Sequence, residues 1–234
     1  MNKLSAREWV LVSVCCVIFV ALVMVIIVGN FEKLKQEPEK SYYEIKCEAF
    51  GVQNSNLSKN QIVFIGDSIT DGYKLDNYYA DLDLATYNRG INGDTSSGVL
   101  ARLQTSLIDL APSKVVLMIG INDIGLGRTN DEIIANYTAI LSNIKPNLPT
   151  TKVFCMSVLP VGTQLLDYIS NEQVVDLNSK ISQLAAQRDC QFVDIYSDFV
   201  TQDGLINPEY TIDGIHPNAV GYDVWTNKIK PLLQ

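Results

Sequence analysis

Ser68 stands in the stretch Gly66-Asp67-Ser68, and the one histidine of the chain, His216, closes Asp213-Gly214-Ile215-His216 near the carboxyl end. A serine hydroxyl is a weak nucleophile at neutral pH and needs an adjacent base. Only histidine has an ordinary pKa near neutrality, so His216 is the one side chain of that kind here. A carboxylate three residues before it, Asp213, could fix its tautomer and stabilise the imidazolium. Attack on an ester places negative charge on the carbonyl oxygen, which calls for fixed N–H donors. The backbone N–H groups of Ser68 and Gly93 and the side-chain amide of Asn122 are candidates. Gly93 lies in Gly90-Ile91-Asn92-Gly93-Asp94 and Asn122 in Gly120-Ile121-Asn122-Asp123. Asp67, Asp94 and Asp123 flank these residues and are expected to hydrogen-bond loop backbone rather than act as acids. Tyr73, Tyr78 and Tyr79 could line a cleft or pack on a sheet.

Such residues must be gathered by elements that end side by side. Short runs rich in Val, Ile and Phe at 62–65, 115–119, 153–158 and 192–195 fit strands buried on both faces, with a weaker strand at 85–88. Apolar residues at helical spacing predict helices over 95–110, 131–144, 171–188 and 218–232, the second with Thr129 and Glu132 as a capping box. This alternation predicts one three-layer α/β/α domain with a parallel sheet. Ligands of such sheets bind beyond the carboxyl ends of the strands, which is where Ser68, Gly93 and Asn122 fall.

With its blocks in this order, the chain resembles the GDSL, or SGNH, hydrolase family over about residues 61–232. Gly66-Asp67-Ser68, Gly93, Asn122 and the closing Asp213-x-x-His216 carry the resemblance, and Gly221-Tyr222-x-x-Trp225 adds to it. It implies a flavodoxin-like fold and a serine ester hydrolase with Ser68, Asp213 and His216 as triad. Ser68, Gly93 and Asn122 would form the oxyanion hole, with no metal or organic cofactor. The implied substrates are esters of carbohydrates, lipids or small acyl compounds. Acyl transfer by the same residues, or a catalytically idle glycan- or lipid-binding module, remain alternatives. Loops at 126–129, 161–169 and 203–212 are expected to set specificity. An ordinary α/β-hydrolase is disfavoured, because its nucleophile elbow needs a second glycine where Thr70 stands.

Composition narrows the partners. The net charge is −8, and residues 1–30 hold Lys3, Arg7 and Glu8, a net +1, which leaves −9 for residues 31–234. An acidic body argues against nucleic acid. One histidine and scattered cysteines argue against a zinc site. Cys155 and Cys190 read as small apolar residues in or beside strands, and a bridge involving Cys47 has no support.

Residues 9–29 carry no charge over 21 positions. That is about 31 Å of helix, close to the hydrocarbon thickness of a bilayer. The run is longer than a signal peptide's apolar core and lacks a small-residue cleavage site. The expected organisation is therefore a tail at 1–8, a single-pass transmembrane anchor at 9–29, a stalk and lead-in segment at 30–60, and a hydrolase-like domain at 61–234. Within the lead-in, residues 42–50 are apolar enough to pack on the body and 52–60 read as a loop. Lys3 and Arg7 precede the span and Lys33, Lys35, Lys40 and Lys46 follow it, so a literal positive-inside count favours a cytoplasmic body, but large domains translocate regardless of charge and the orientation stays open. The family's frequent role at envelopes implies an extracytoplasmic body. The oligomeric state is not legible.

Overall fold

The computed structural model describes residues 40–234 throughout and, before them, residues 5, 7, 18, 19 and 21–25. The chain divides into two units, Met1–Lys40 and Ser41–Gln234. Most of the expected anchor at 9–29, together with most of the tail and of the stalk as far as residue 39, lies outside the described residues. Residues 18, 19 and 21–25 are helical and exposed. Among the described residues no helix is long and apolar enough to cross a membrane.

The second unit opens with helix α1 (Tyr42–Asn54), started by a capping box between Ser41 and Glu44. The helix continues through Val52, Gln53 and Asn54, where the sequence reads as a loop. The reason is tertiary. Gln53 and Asn54 accept hydrogen bonds from the Arg89 guanidinium, and the Asn54 amide donates to the Thr105 carbonyl.

Five strands follow: β1 (Ile62–Gly66), β2 (Thr86–Gly90), β3 (Lys114–Met118), β4 (Lys152–Met156) and β5 (Gln191–Val193). They form one parallel sheet in the order β2-β1-β3-β4-β5. Every residue of β1 and β3 is buried, whereas β2 and β5 at the edges are partly exposed. That difference follows from position, since only the interior strands are covered on both faces. The register pairs Gly66 with both Gly90 and Met118, so three strands end at one level.

Helix α2 (Ser68–Asp71) turns directly off β1, followed by α3 (Asp76–Tyr79). It crosses so close to β2 that a Cβ on Gly90 would stand 2.1 Å from the Asp71 nitrogen, a contact only glycine avoids. The expected helix over 95–110 is broken into α4 (Ser96–Ala101), α5 (Leu103–Ser106) and a 3-10 turn at Ile108–Leu110. The first break falls on Arg102, whose side chain turns into the interior. Helix α6 (Ile121–Gly125) follows β3, and α7 (Asn130–Asn147) starts at the Thr129–Glu132 capping box. Helices α8 (Asn171–Gln187), α9 (Tyr196–Phe199) and α10 (Ala219–Leu233) complete the unit. Helices α4, α7 and α8 pack in succession, and α10 lies against α3 and α9.

Tyr73 and Tyr79 are buried in an aromatic cluster with Tyr222 and Trp225, where Tyr73 stacks on Tyr222 at 4.5 Å between ring centres. These two tyrosines pack rather than line a cleft. Each such ring, fully buried, contributes on the order of 2 kcal/mol. This cluster seats the amino-terminal part of α10, which follows His216 closely. Cys155 is buried in β4, Cys190 is half-buried beside β5, and both are free thiols, as is Cys47.

Candidate active site

The carboxyl ends of β1, β2 and β3 deliver three segments to one place. Asp67 caps α2 by accepting the Ile69 N–H at 3.0 Å, and this fixes the turn that presents Ser68. Asp67 is fully buried, which pushes its carboxyl up to about 7 against the pull of that N–H and of His216; Asp94 and Asp123 push the same way as burial.

Ser68 Oγ lies 2.9 Å from His216 Nε2, and His216 Nδ1 lies 2.7 Å from Asp213 Oδ2. The carboxylate can only accept, so Nδ1 carries the proton in the neutral ring and Nε2 is left to accept from the Ser68 hydroxyl. The second oxygen of Asp213 accepts the backbone N–H groups of Ile215 and His216. Partial burial raises the Asp213 carboxyl, but the His216 ring and these N–H groups outweigh it and hold it below the ordinary value.

The loop carrying both groups is closed on itself. Thr211 pairs with Pro217 in an antiparallel bridge, and the Thr211 hydroxyl donates to the His216 carbonyl while accepting the Gly214 N–H. From outside, the Gln164 amide donates to the Asp213 carbonyl, and the Gly162 N–H donates to that of Gly214. The expected specificity segment at 161–169 thus rests directly on the Asp213–His216 loop.

Gly93 has φ +76°, with no atom within 4 Å of where a Cβ would stand. Its requirement is conformational, and its surroundings are open. Asn122 donates one amide N–H to the Asp94 carbonyl at 2.9 Å, which orients the group and leaves its second N–H free of that bond. Asp94 and Asp123 hydrogen-bond loop backbone as expected, to the N–H groups of Thr95 and Ser96 respectively. They do more than the sequence suggests. The Asp94 carboxylate pairs with Arg102 at 2.7 Å, both side chains being 2% exposed, and fully buried Asp123 pairs with Arg128. Arg102 also donates to the carbonyls of Gly66 and Arg89 and to Ser106 Oγ. One guanidinium therefore ties the end of β1 to the loop that follows β2. Sequence reasoning missed it; the only signal was a lone arginine among the apolar residues of 95–110.

A parallel α/β sheet with a serine, a histidine and an aspartate in hydrogen-bonded series at its carboxyl edge defines a hydrolase-like architecture. Residues 64–224 match the model of the GDSL-like lipase/acylhydrolase family, and the chain belongs to that family. Membership makes it a hydrolase acting on esters. Among curated proteins it is 26% identical over 190 residues to platelet-activating factor acetylhydrolase IB subunit alpha1 of Bos taurus, covering 78% of each chain. It is 29% identical over 164 residues to the alpha2 subunit of Rattus norvegicus, covering 69% of this chain and 70% of that one. Among solved structures, a GDSL-like lipase from Bacteroides thetaiotaomicron superposes with a TM-score of 0.72 at 27% identity, covering 82% of this chain and 98% of the other. An acetyl-xylooligosaccharide esterase from Geobacillus shares the fold, with a TM-score of 0.61 at 22% identity over 75% of this chain and 94% of its own.

Proposed function

We propose that the chain is a membrane-anchored serine esterase for small acyl esters, with Ser68 as nucleophile, His216 as base and Asp213 as its orienting carboxylate. The hydrogen-bonded series Ser68–His216–Asp213 carries the reading. Ser68 Oγ attacks the acyl carbon as His216 Nε2 takes its proton. The N–H groups of Ser68 and Gly93 and the free amide N–H of Asn122 receive the developing oxyanion. The imidazolium gives its proton to the leaving alcohol, and His216 then draws a proton from water that attacks the acyl-enzyme. No step calls for a metal or organic cofactor. The acetyl group named in the similar acetylhydrolases makes acetate the first acyl group to test.

The uncharged run at 9–29 supports the anchor, residues 61–234 supply the hydrolase domain, and the family's association with envelopes favours an extracytoplasmic body. The direct test is labelling of the full chain by a fluorophosphonate. The wild type should be labelled and should hydrolyse p-nitrophenyl acetate, whereas Ser68→Ala should do neither. His216→Ala should lower kcat by about 10²–10⁴. A folded wild-type protein that resists labelling overturns the proposal.

A further inference from the structure

Helix α1 lies outside residues 64–224 that match the family, yet it grips the candidate site from beneath. Its hold centres on Asp71, the last residue of α2, three positions after Ser68. The Asp71 carboxylate accepts from Tyr42 Oη at 2.7 Å and from Lys46 Nζ at 2.8 Å, both on α1. The same carboxylate accepts the backbone N–H of Asn92 at 3.2 Å. Asn92 immediately precedes Gly93, and both are exposed at the centre of a turn that the Asp94 N–H closes on the Ile91 carbonyl; the Asp71 carboxylate is the side chain that reaches the Asn92 N–H at its tip. The hydrogen bond to Asp71, with partial burial and the carboxylate charge, pushes the Tyr42 phenol up to about 12, so it stays a donor at any ordinary pH.

Deeper along α1 the same pattern continues. Buried Phe50 lies beneath two guanidinium groups, 4.5 Å from that of Arg89 and 5.9 Å from that of Arg102, measured to the ring centre. Tyr43 Oη donates to the Gly98 carbonyl in α4. One helix therefore touches the supports of the Ser68 turn and of the Gly93 loop together.

We infer that Asp71, held from α1 by Tyr42 and Lys46, is a positioning residue that fixes the Asn92–Gly93 backbone for oxyanion binding. The inference rests on the reading of Gly93 N–H as an oxyanion donor. A carboxylate with two donors from one element and a third from another acts as a rivet. Release of either side lets the exposed Gly93 peptide rotate away from the acyl oxygen. Such a loss falls on the transition state, where the charge develops, and spares the ground-state ester.

The test compares full-chain wild type, Asp71→Ala, Asp71→Asn and the double variant Tyr42→Phe/Lys46→Met, using p-nitrophenyl acetate and amide hydrogen exchange over residues 91–95. Asp71→Ala should lose about tenfold in kcat with KM changed less than about twofold. Asp71→Asn should keep kcat within about threefold of wild type, because its amide oxygen still accepts from Asn92 and Tyr42. The double variant removes the two donors of α1, leaves the Asp71 carboxylate its Asn92 N–H, and should lose kcat by about threefold to tenfold. Exchange over 91–95 should quicken in Asp71→Ala and in the double variant. Unchanged kcat in both of these variants, or a loss confined to KM, overturns the inference while fluorophosphonate labelling of Ser68 leaves the esterase reading standing. A wild type that is neither labelled nor active removes the esterase reading instead. Unchanged exchange over 91–95 then removes the rivet as well.

Discussion

The Arg102–Asp94 pair offers a quantitative test of how the two loops are joined. Arg102→Met keeps much of the stem volume and removes every donor. Gly66 O retains the Ile91 N–H, so its loss is small. The Asp94 carboxylate fares worse: at 2% exposure it keeps only the Thr95 N–H and loses its cation. Removing one partner of a buried pair costs about 3–5 kcal/mol. Relief of the repulsion between Arg102 and Arg89, a guanidinium that burial and Arg102 bring down to about 10, returns a little of this. A net loss of about 4 kcal/mol is expected, a large share of an ordinary domain's stability. Asp94→Asn should cost less, about 2 kcal/mol, because the guanidinium keeps three neutral acceptors. The double variant should cost less than the sum by at least about 2 kcal/mol. Urea unfolding of the full chain followed by fluorescence of buried Trp225 measures each. A pH signature accompanies the loss. Burial already raises the Asp94 carboxyl above its ordinary value, with Arg102 pulling against it. Without Arg102 the folded value rises further, so the stability deficit should widen as pH rises and be smaller at pH about 5 than at about 8. Additive costs together with a pH-independent deficit would refute the account.

Two further outcomes follow from groups beside Ser68. Asp67 has a folded value of about 7 against an ordinary 3.8, so the folded state binds its proton more tightly and stability falls as pH rises through that window. Asp67→Asn should therefore be stabilising at pH about 8, by up to roughly 4 kcal/mol, and nearly neutral at pH about 4, as urea midpoints at the two values would reveal. Gly93→Ala meets no atom but must hold φ +76°, which costs an alanine about 1–2 kcal/mol. Its kcat on p-nitrophenyl acetate should drop with little change in KM, and an unchanged kcat would remove Gly93 from the oxyanion role.

What the sequence makes legible is what local rules control. The Thr129–Glu132 capping box, the all-buried strands and the long amphipathic helices need only neighbours a few residues away, and the structure places them within a few residues of expectation. The convergence of Ser68, Gly93 and Asn122 is legible for a related reason: each follows the end of a strand, and parallel strands end together, whereas Asp213 and His216 come from a loop well beyond the last strand. The break at Arg102 is not legible, because its acceptors come from Gly66, Arg89 and Asp94, brought near only by the sheet. The same holds for α1, whose last turn is fixed by Arg89, 35 and 36 residues away. Propensity alone ends that helix earlier.

The ring closed by Thr211 and Pro217 holds Asp213 and His216 as one piece, with its own internal bonds and only a few ties outside. Displacement of that piece leaves the carboxylate–imidazole spacing intact and, within the Ser68–His216–Asp213 series, changes one length, the one from His216 Nε2 to Ser68 Oγ. The hydrogen-bonded series then has one mechanical coordinate rather than three. Whatever leans on Gln164 or Gly162 adjusts that coordinate like a key seating a single pin.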